Sequence, residues 1–222
     1  ESFARLFDAT CTPEHLREVE AADGRDEALW AELAELGAFM LRVPEEKDGL
    51  GLGAFDATVS LMEEVGRKIP SGPIAETVVG ARLLALLNAD EDVLGEVMGG
   101  AAPLTFALHD VSAKPRQFVS CAAISGYVLA RSGDEVALFT LGDDGALAEE
   151  NLASTGVGEV DFAAAEGRTI ASGAEATAQF EAALEELKLY TAAMLSGIGR
   201  QSVRMAAEYA SERKQFGQPI GQ

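Results

Sequence analysis

The residues with the clearest chemical potential stand near the end of the chain. Between Gly199 and Gly217 there are four basic residues and two acidic ones, a local charge of +2 in a chain whose net charge is −20. An arginine fork beside an aromatic ring and a glycine can bind phosphate with close approach of the backbone. Cations at the end of a helix also stabilise its dipole, and composition alone favours that structural interpretation. The charged residues are Arg200, Arg204, Glu208, Glu212, Arg213 and Lys214.

Other catalytic patterns are scarce. His15 and His109 are the only histidines, and neither has the spacing of a zinc-binding HExxH helix. The sequence contains no Walker loop, no GxGxxG after a strand and no GxSxG elbow, so a hydrolase or P-loop enzyme is disfavoured. Cys11 and Cys121 are too few for a disulfide framework or a zinc cage. We expect no metal site, a reducing cytoplasmic location, and a surface position without special role for His15.

Composition excludes further classes of function. The chain has 37 acidic and 17 basic residues, so it should repel nucleic-acid backbones. Its apolar runs fall short of the ~20 residues that a membrane span needs. Because the sequence starts at Glu1 and stops at Gln222 directly after its strongest motif, we expect both ends to be cut.

Hydrophobic periodicity predicts an α+β protein in three parts. Residues 1–100 are expected to form an N-terminal helical domain, 101–174 a small antiparallel β middle domain, and 175–222 the start of a C-terminal helical bundle. Only the first helix of that bundle is present, and it should run for roughly 35 residues, ~50 Å. The predicted helices of the first part are Glu27–Met40, Ala54–Lys68, Ile74–Leu87 and Glu91–Met98. The predicted strands are Leu104–Leu108, Phe118–Ile124, Tyr127–Arg131, Val136–Leu141, Gly156–Phe162 and Arg168–Ala171.

Two motifs carry a family resemblance. The stretch from Tyr209 to Ile220 has the pattern Tyr-Ala-x-Glu-Arg-Lys-Gln-Phe-Gly-x-Pro-Ile and resembles the signature of the acyl-CoA dehydrogenase flavoproteins. The glycine-rich loop from Val43 to Gly53 resembles a second landmark of that family. The resemblance implies FAD-dependent α,β-dehydrogenation of an acyl-CoA thioester to an enoyl-CoA.

The resemblance also implies site residues. Arg213, Gln215 and Phe216 would contact FAD held mainly by a neighbouring subunit. Glu185 and Lys188, three residues apart on one helix face, would touch the acyl-CoA, although a surface ion pair is an equally good interpretation.

The middle of the chain departs from the family pattern. His109 stands where the family has a threonine beside the flavin, and we expect it to face the flavin edge. The family's Gly-Ser-Asp loop is missing, and the only tryptophan is Trp30, in the first helical part. One family position for the catalytic glutamate holds Leu187 here, and the other lies beyond Gln222, so the catalytic base is unidentified.

Three interpretations follow. The chain is a working acyl-CoA dehydrogenase, or a non-catalytic or flavin-sharing subunit that resembles those of the bacterial α2β2 dehydrogenases of steroid CoA esters, or a purely structural helical partner. The first two imply a homo- or hetero-oligomer built as a dimer of dimers. By the same resemblance, an electron-transfer flavoprotein would accept the electrons.

Overall fold

The computed structural model describes residues 2–22, 24–142, 146, 148–151 and 155–221. The N-terminal part is helical, as predicted, and the α+β class is confirmed. Its α-helices are α1 Ser2–Thr10, α2 Pro13–Ala21, α3 Glu27–Glu35, α4 Ala54–Ala57, α5 Glu63–Lys68, α6 Ile74–Leu86 and α7 Glu91–Met98. The boundaries between the three predicted domains stay a prediction.

Helix α3 begins as predicted but ends early. The Asp26 carboxylate accepts a hydrogen bond from the Leu29 N–H at 3.1 Å and caps the first turn. The predicted end at Met40 is wrong, because Gly37 adopts the left-handed region at φ 74° and the chain continues as a 3-10 turn, Ala38–Met40. The sequence predicts a single helix, Ala54–Lys68. In the structure this range is divided into α4 and α5, which are joined by a π-helical segment, Thr58–Met62.

The glycine-rich segment is an ordered loop. It contains one 3-10 turn, Glu45–Lys47, and folds back on itself. A Cβ at Gly49 would lie 2.1 Å from the Val43 carbonyl oxygen, so only glycine allows this close approach of two backbone segments.

The main sheet is mixed, which corrects the antiparallel prediction. It has the order β1-β3-β4-β6, and β1 runs parallel to β3 while the other pairs are antiparallel. The predicted strand Phe118–Ile124 is shifted, because β2 ends at Val119 and a 3-10 turn, Ala122–Ile124, follows. The strands are β1 Leu104–Phe106, β2 Arg116–Val119, β3 Tyr127–Ser132, β4 Glu135–Thr140, β5 Gly158–Asp161 and β6 Glu166–Ser172.

Each face of this sheet has its own apolar layer. Phe106 and Leu129 face the helices, and the Phe106 ring lies 5.9 Å from that of Phe180 in the last helix. The opposite face carries Phe139, which packs edge-on against Phe162 beside the separate β2–β5 ribbon. The sheet is therefore held between a helical layer and a two-stranded ribbon.

Helix α8, Ala174–Glu212, is 39 residues long and crosses the molecule. It packs closely on α5 at two glycines, Gly66 and Gly197. A Cβ at Gly66 would lie 1.9 Å from the Met194 carbonyl oxygen, and one at Gly197 would lie 2.1 Å from the Glu63 carbonyl oxygen. Contact of the two backbones fixes the position of α8 against the N-terminal helices.

Candidate functional site

The end of α8 carries a small hairpin. Strands β7, Lys214–Gln215, and β8, Gln218–Pro219, pair across a turn at Phe216 and Gly217, which have φ values of 50° and 85°. The Ile220 N–H donates to the Arg213 carbonyl at 2.9 Å, and the Gly221 N–H donates to the Ala210 carbonyl at 2.9 Å. We call residues 213–219 the tip hairpin, and it is a defined structure on the end of the helix.

The tip hairpin presents its predicted cofactor residues to solvent. Phe216 is 100% exposed, and the side chains of Arg213 and Gln215 are exposed. In the part of the chain that the structure describes, no carboxylate forms an ion pair with Arg213. By contrast, Arg200 lies 3.4 Å from Glu63 and Arg204 lies 2.9 Å from Glu208.

These contacts divide the cationic segment in two. Arg200 and Arg204 are neutralised within the chain, whereas the guanidinium of Arg213 is available for an external anion. The tip hairpin thus exposes a guanidinium, a group that binds phosphate through charge-assisted hydrogen bonds, and an aromatic ring.

Glu185 and Lys188 lie on one exposed face of α8, where Lys188 Nζ is 2.6 Å from Glu185 Oε1. Both side chains are more than two-thirds exposed. They stand 25 or more residues before Arg213, and at 1.5 Å per residue this separation is about 40 Å. Within one chain, the structure therefore does not bring the predicted substrate residues next to the predicted cofactor residues of the tip hairpin.

His109 follows β1 at an exposed position. Gln117 holds its backbone on both sides, accepting from the His109 N–H and donating to the His109 carbonyl, each at 3.2 Å. Leu108 and Phe118 beside it are 68% and 65% exposed. His109 is therefore at the surface, with the exposed Leu108 next to it in the chain.

His15, expected at the surface without a special role, has a structural one. Its Nε2 lies 2.7 Å from Asp26 Oδ2, so it ties α2 to the residue that caps α3.

Glu186 is a residue that the sequence did not single out. It is buried, accepts from Arg42 Nε at 2.6 Å and from the Tyr190 hydroxyl at 2.8 Å, and lies 3.4 Å from Arg82. Burial raises the pKa of this carboxyl, but the hydrogen bonds from Arg42 and Tyr190 outweigh burial and lower the pKa below its usual value. Glu186 is therefore an ionised structural group, with its oxygens already occupied.

An apolar cleft of about 660 Å³ lies between α8 and the N-terminal helices. We call it the α8 cleft. Its apolar walls come from α5, the following loop, α6 and α8. The residues are Val65, Ile69, Ile74, Met194, Leu195 and Ile198.

Two of the ionisable residues that line the α8 cleft have a raised pKa. Glu76, in the first turn of α6, lines it, and burial raises the pKa of this carboxyl. Cys121, which also lines it, has its thiol pKa raised to about 12 by burial and by the charge of Glu76. The thiol is therefore protonated near neutral pH and is a poor nucleophile.

Metal-binding groups and membrane-spanning helices were sought in the part of the chain that the structure describes, and neither is present there. Among the described residues, no group of three His, Cys, Asp or Glu side chains is placed to hold a metal ion. Both cysteines are free thiols. Within the same residues, no helix combines the length and the apolar character needed to cross a bilayer.

Comparisons with known proteins agree with this geometry. Residues 1–91 match the family model of the acyl-CoA dehydrogenase N-terminal domain. Acyl-CoA dehydrogenase FadE27 of Mycobacterium tuberculosis is 30% identical over 247 aligned residues, which cover 97% of this chain and 65% of that protein.

Two solved structures have the same fold. A Tcur3481–Tcur3483 steroid ACAD variant matches with a TM-score of 0.80 at 29% identity, and the match covers 99% of this chain and 67% of that one. The ChsE4–ChsE5 complex from Mycobacterium tuberculosis matches with a TM-score of 0.76 at 26% identity and the same coverage.

The helical part, the small sheet and the long helix with its tip hairpin match the α+β fold of acyl-CoA dehydrogenases. Over nearly its whole length the chain is similar to acyl-CoA dehydrogenases, which confirms the resemblance of its motifs. It spans 65% of the length of FadE27, about two thirds.

Proposed function

We propose that this chain is part of an FAD-dependent enzyme that converts an acyl-CoA thioester to an enoyl-CoA. The observation that carries the proposal is the tip hairpin, a folded structure that presents an unpaired guanidinium and a fully exposed phenylalanine. FAD, when bound, supplies the acceptor for the hydride that leaves the substrate β-carbon. Electrons would then pass to an electron-transfer flavoprotein.

The residues of this chain would bind and orient FAD and the acyl-CoA. Arg213 would hold the diphosphate of FAD through charge-assisted hydrogen bonds, with Gln215 and Phe216 beside it. His109 would face the flavin edge. Glu185 and Lys188 would contact the acyl-CoA at the surface, and the α8 cleft would receive the acyl group and exclude water from it.

Exposed apolar residues in the distal half of α8 favour the presence of a neighbouring subunit at the tip hairpin. Gly197 is the last buried residue of α8, and Val203, Met205 and Tyr209 beyond it are 71%, 59% and 58% exposed. Exposed apolar groups at this density favour burial against another protein surface. A subunit on this face would also bring its own part of the FAD site to the tip hairpin.

The heteromeric alternative has a specific observation in its favour. At the family position for a catalytic base on α8, Leu187 packs against the core, while Glu186 is bound by arginines and Glu185 is paired at the surface. None of these side chains is placed to take a proton from a substrate. A flavin-sharing subunit whose partner supplies the base explains this, and both structural relatives above are named as pairs of gene products.

Replacing Arg213 with alanine should lower FAD occupancy. A charge-assisted hydrogen bond contributes ~1.5–3 kcal/mol, so the dissociation constant for FAD should rise about ten- to a hundredfold. The measurement is the ratio of flavin to protein absorbance after dialysis at graded FAD concentrations. The matched control is Arg204→Ala, which removes an arginine whose partner is Glu208 in the same helix. Equal occupancy in the two variants would contradict the proposal.

The heteromeric alternative predicts flavin only in an assembly of two gene products. We expect the chain purified alone to be colourless, and the chain co-expressed with the product of the adjacent gene to elute as a yellow complex in size-exclusion chromatography. Native mass spectrometry then gives the stoichiometry. A yellow homo-oligomer obtained without any second gene product would favour the self-sufficient enzyme instead.

A further inference from the structure

A second cavity lies beside the α8 cleft, and the proposed chemistry does not use it. We call it the α3 cavity, because Glu27 and Trp30 of α3 line one of its walls. Its volume is about 560 Å³. Small side chains on the other walls leave this space open. They belong to Gly100, Ala101, Ala102, Ala122, Ala123 and Gly126.

The wall at Trp30 is held in place. The indole Nε1–H donates to the Gly100 carbonyl at 2.9 Å, and the ring stacks on Phe39 with the two centroids 4.4 Å apart. The ring therefore cannot swing into the α3 cavity without losing both contacts.

The two cavities share part of their lining. Gly24, Ser71 and Gly72 line both the α8 cleft and the α3 cavity, so these residues form the boundary between the two spaces. Gly24 lies in the connection from α2 to α3, whereas Ser71 and Gly72 lie in the connection from α5 to α6. The boundary is thus made where two connecting segments meet.

A single side-chain hydrogen bond closes this boundary. The Ser71 hydroxyl donates to the Gly24 carbonyl, and the Gly24 N–H donates to the Val19 carbonyl near the end of α2 at 2.9 Å. Among the described residues, no other hydrogen bond joins residues 24–26 to residues 69–73. One neutral hydrogen bond is weak enough for a ligand to open and strong enough to bias which ligand binds.

We infer that the α8 cleft and the α3 cavity are two compartments of one acyl site, and that Ser71 is a specificity-determining residue, which confines the acyl group to the α8 cleft. An acyl group that fits within this cleft leaves the hydrogen bond from Ser71 to Gly24 intact, whereas a longer one must break it to reach the α3 cavity. The preferred substrate class is then an acyl-CoA whose acyl group fills the α8 cleft alone. This inference rests on the proposed function, since it takes the α8 cleft as the acyl site.

The test uses the complete FAD-loaded protein and saturated straight-chain acyl-CoAs from C4 to C16. Isothermal titration calorimetry gives the dissociation constant of each. We expect the affinity of the wild type to rise with chain length until the α8 cleft is filled, and then to stop rising. Ser71→Ala should bind the longer thioesters about two- to tenfold more tightly than the wild type does, because they no longer break a hydrogen bond. The shorter thioesters should bind equally to both proteins.

Three further variants separate this role from a general loosening of the fold. Ser71→Thr keeps the hydroxyl and should keep the wild-type limit. Ala123→Phe fills the α3 cavity, so its combination with Ser71→Ala should lose the gain for long thioesters. Ser60→Ala removes a hydroxyl that donates to the Asp56 carbonyl one turn earlier, at 2.8 Å, and should behave as the wild type.

The outcomes are distinguishable. If Ser71→Ala shows the same dependence on chain length as the wild type, the role of Ser71 is overturned while the α8 cleft stands as an acyl site. A wild-type affinity that still rises at C16 overturns the limit, and a gain that persists after Ala123→Phe overturns the second compartment. If no acyl-CoA binds to the wild-type protein, the assignment of the α8 cleft fails, and the inference fails with it.

Discussion

Gly197→Ala should destabilise the protein by about 3 kcal/mol, at the upper end of the cost of overpacking. The added methyl group would lie 2.1 Å from the Glu63 carbonyl oxygen and 2.8 Å from the Arg67 nitrogen. Both are backbone atoms, so no side-chain rotation relieves the clash and α8 must move away from α5. Gly66→Ala should have a comparable effect, because its methyl group would lie 1.9 Å from the Met194 carbonyl oxygen.

The matched control is Gly199→Ala, two residues further along the same helix. A Cβ at Gly199 meets nothing within 4 Å, so this change should stabilise the helix by up to about 1 kcal/mol. Urea unfolding followed by far-UV circular dichroism gives the three free energies. If Gly197→Ala were as stable as Gly199→Ala, the close contact between α5 and α8 would not exist in solution.

This contact also sets the shape of the α8 cleft. Val65 and Gly66 are neighbours on α5, and Met194 lines the cleft from the opposite side. Separation of the two helices would therefore widen the cleft. Ligand binding in Gly66→Ala should weaken together with stability.

The helices were predictable because each carries its own signals. Asp26 supplies the cap of α3, and the apolar periodicity of α6 and α7 gives their limits to within one residue at each end. The order of strands was not predictable in the same way. Turn residues between short apolar runs indicate hairpins, but β1 reaches β3 in parallel because β2 leaves the sheet to pair with β5. Whether β2 joins the main sheet or pairs with β5 depends on contacts between segments that are distant in the sequence.

The buried face of α8 shows the same limit. Leu184, Leu187, Thr191 and Met194 recur at three- and four-residue steps, yet none of them is fully buried. The fully buried stripe lies beside them and contains a glutamate, which an apolar pattern does not include. Small residues at Ala183, Ala193 and Gly197 were the signal that could have revealed it, because close packing of helices needs them. The stripe consists of Ala176, Phe180, Ala183, Glu186, Tyr190, Ala193 and Gly197.

Glu186→Leu should destabilise the protein by about 3–5 kcal/mol, the usual cost of breaking a buried ion pair by removing one partner. The Arg42 side chain is only 11% exposed, and it would keep its charge without the carboxylate that accepts from its Nε and Nη2 atoms. Arg42 also donates to the Leu52 carbonyl, so it connects the glycine-rich loop to Glu186 on α8. The variant would lose this connection.

The compensating variant is Arg42→Met with Glu186→Leu. It removes both charges and fills similar volume, so much of the lost stability should return. Chemical unfolding of the two single variants and the double variant forms a cycle that isolates the interaction. If the double variant lost as much free energy as the sum of the two single changes, the cluster of Arg42, Glu186, Arg82 and Tyr190 would contribute no coupling.

The same cluster predicts how stability depends on pH. Burial raises the pKa of Glu186, but the hydrogen bonds from Arg42 and Tyr190 prevail, so its pKa in the folded protein lies below the ordinary 4.5. A depressed pKa contributes stability that is fully present above pH 4.5 and is lost as the pH falls from 4.5 through the folded pKa. The unfolding free energy of the wild type should therefore fall more steeply below this pH than that of the double variant. Parallel slopes in acid would show that Glu186 is not held as a carboxylate by its arginines.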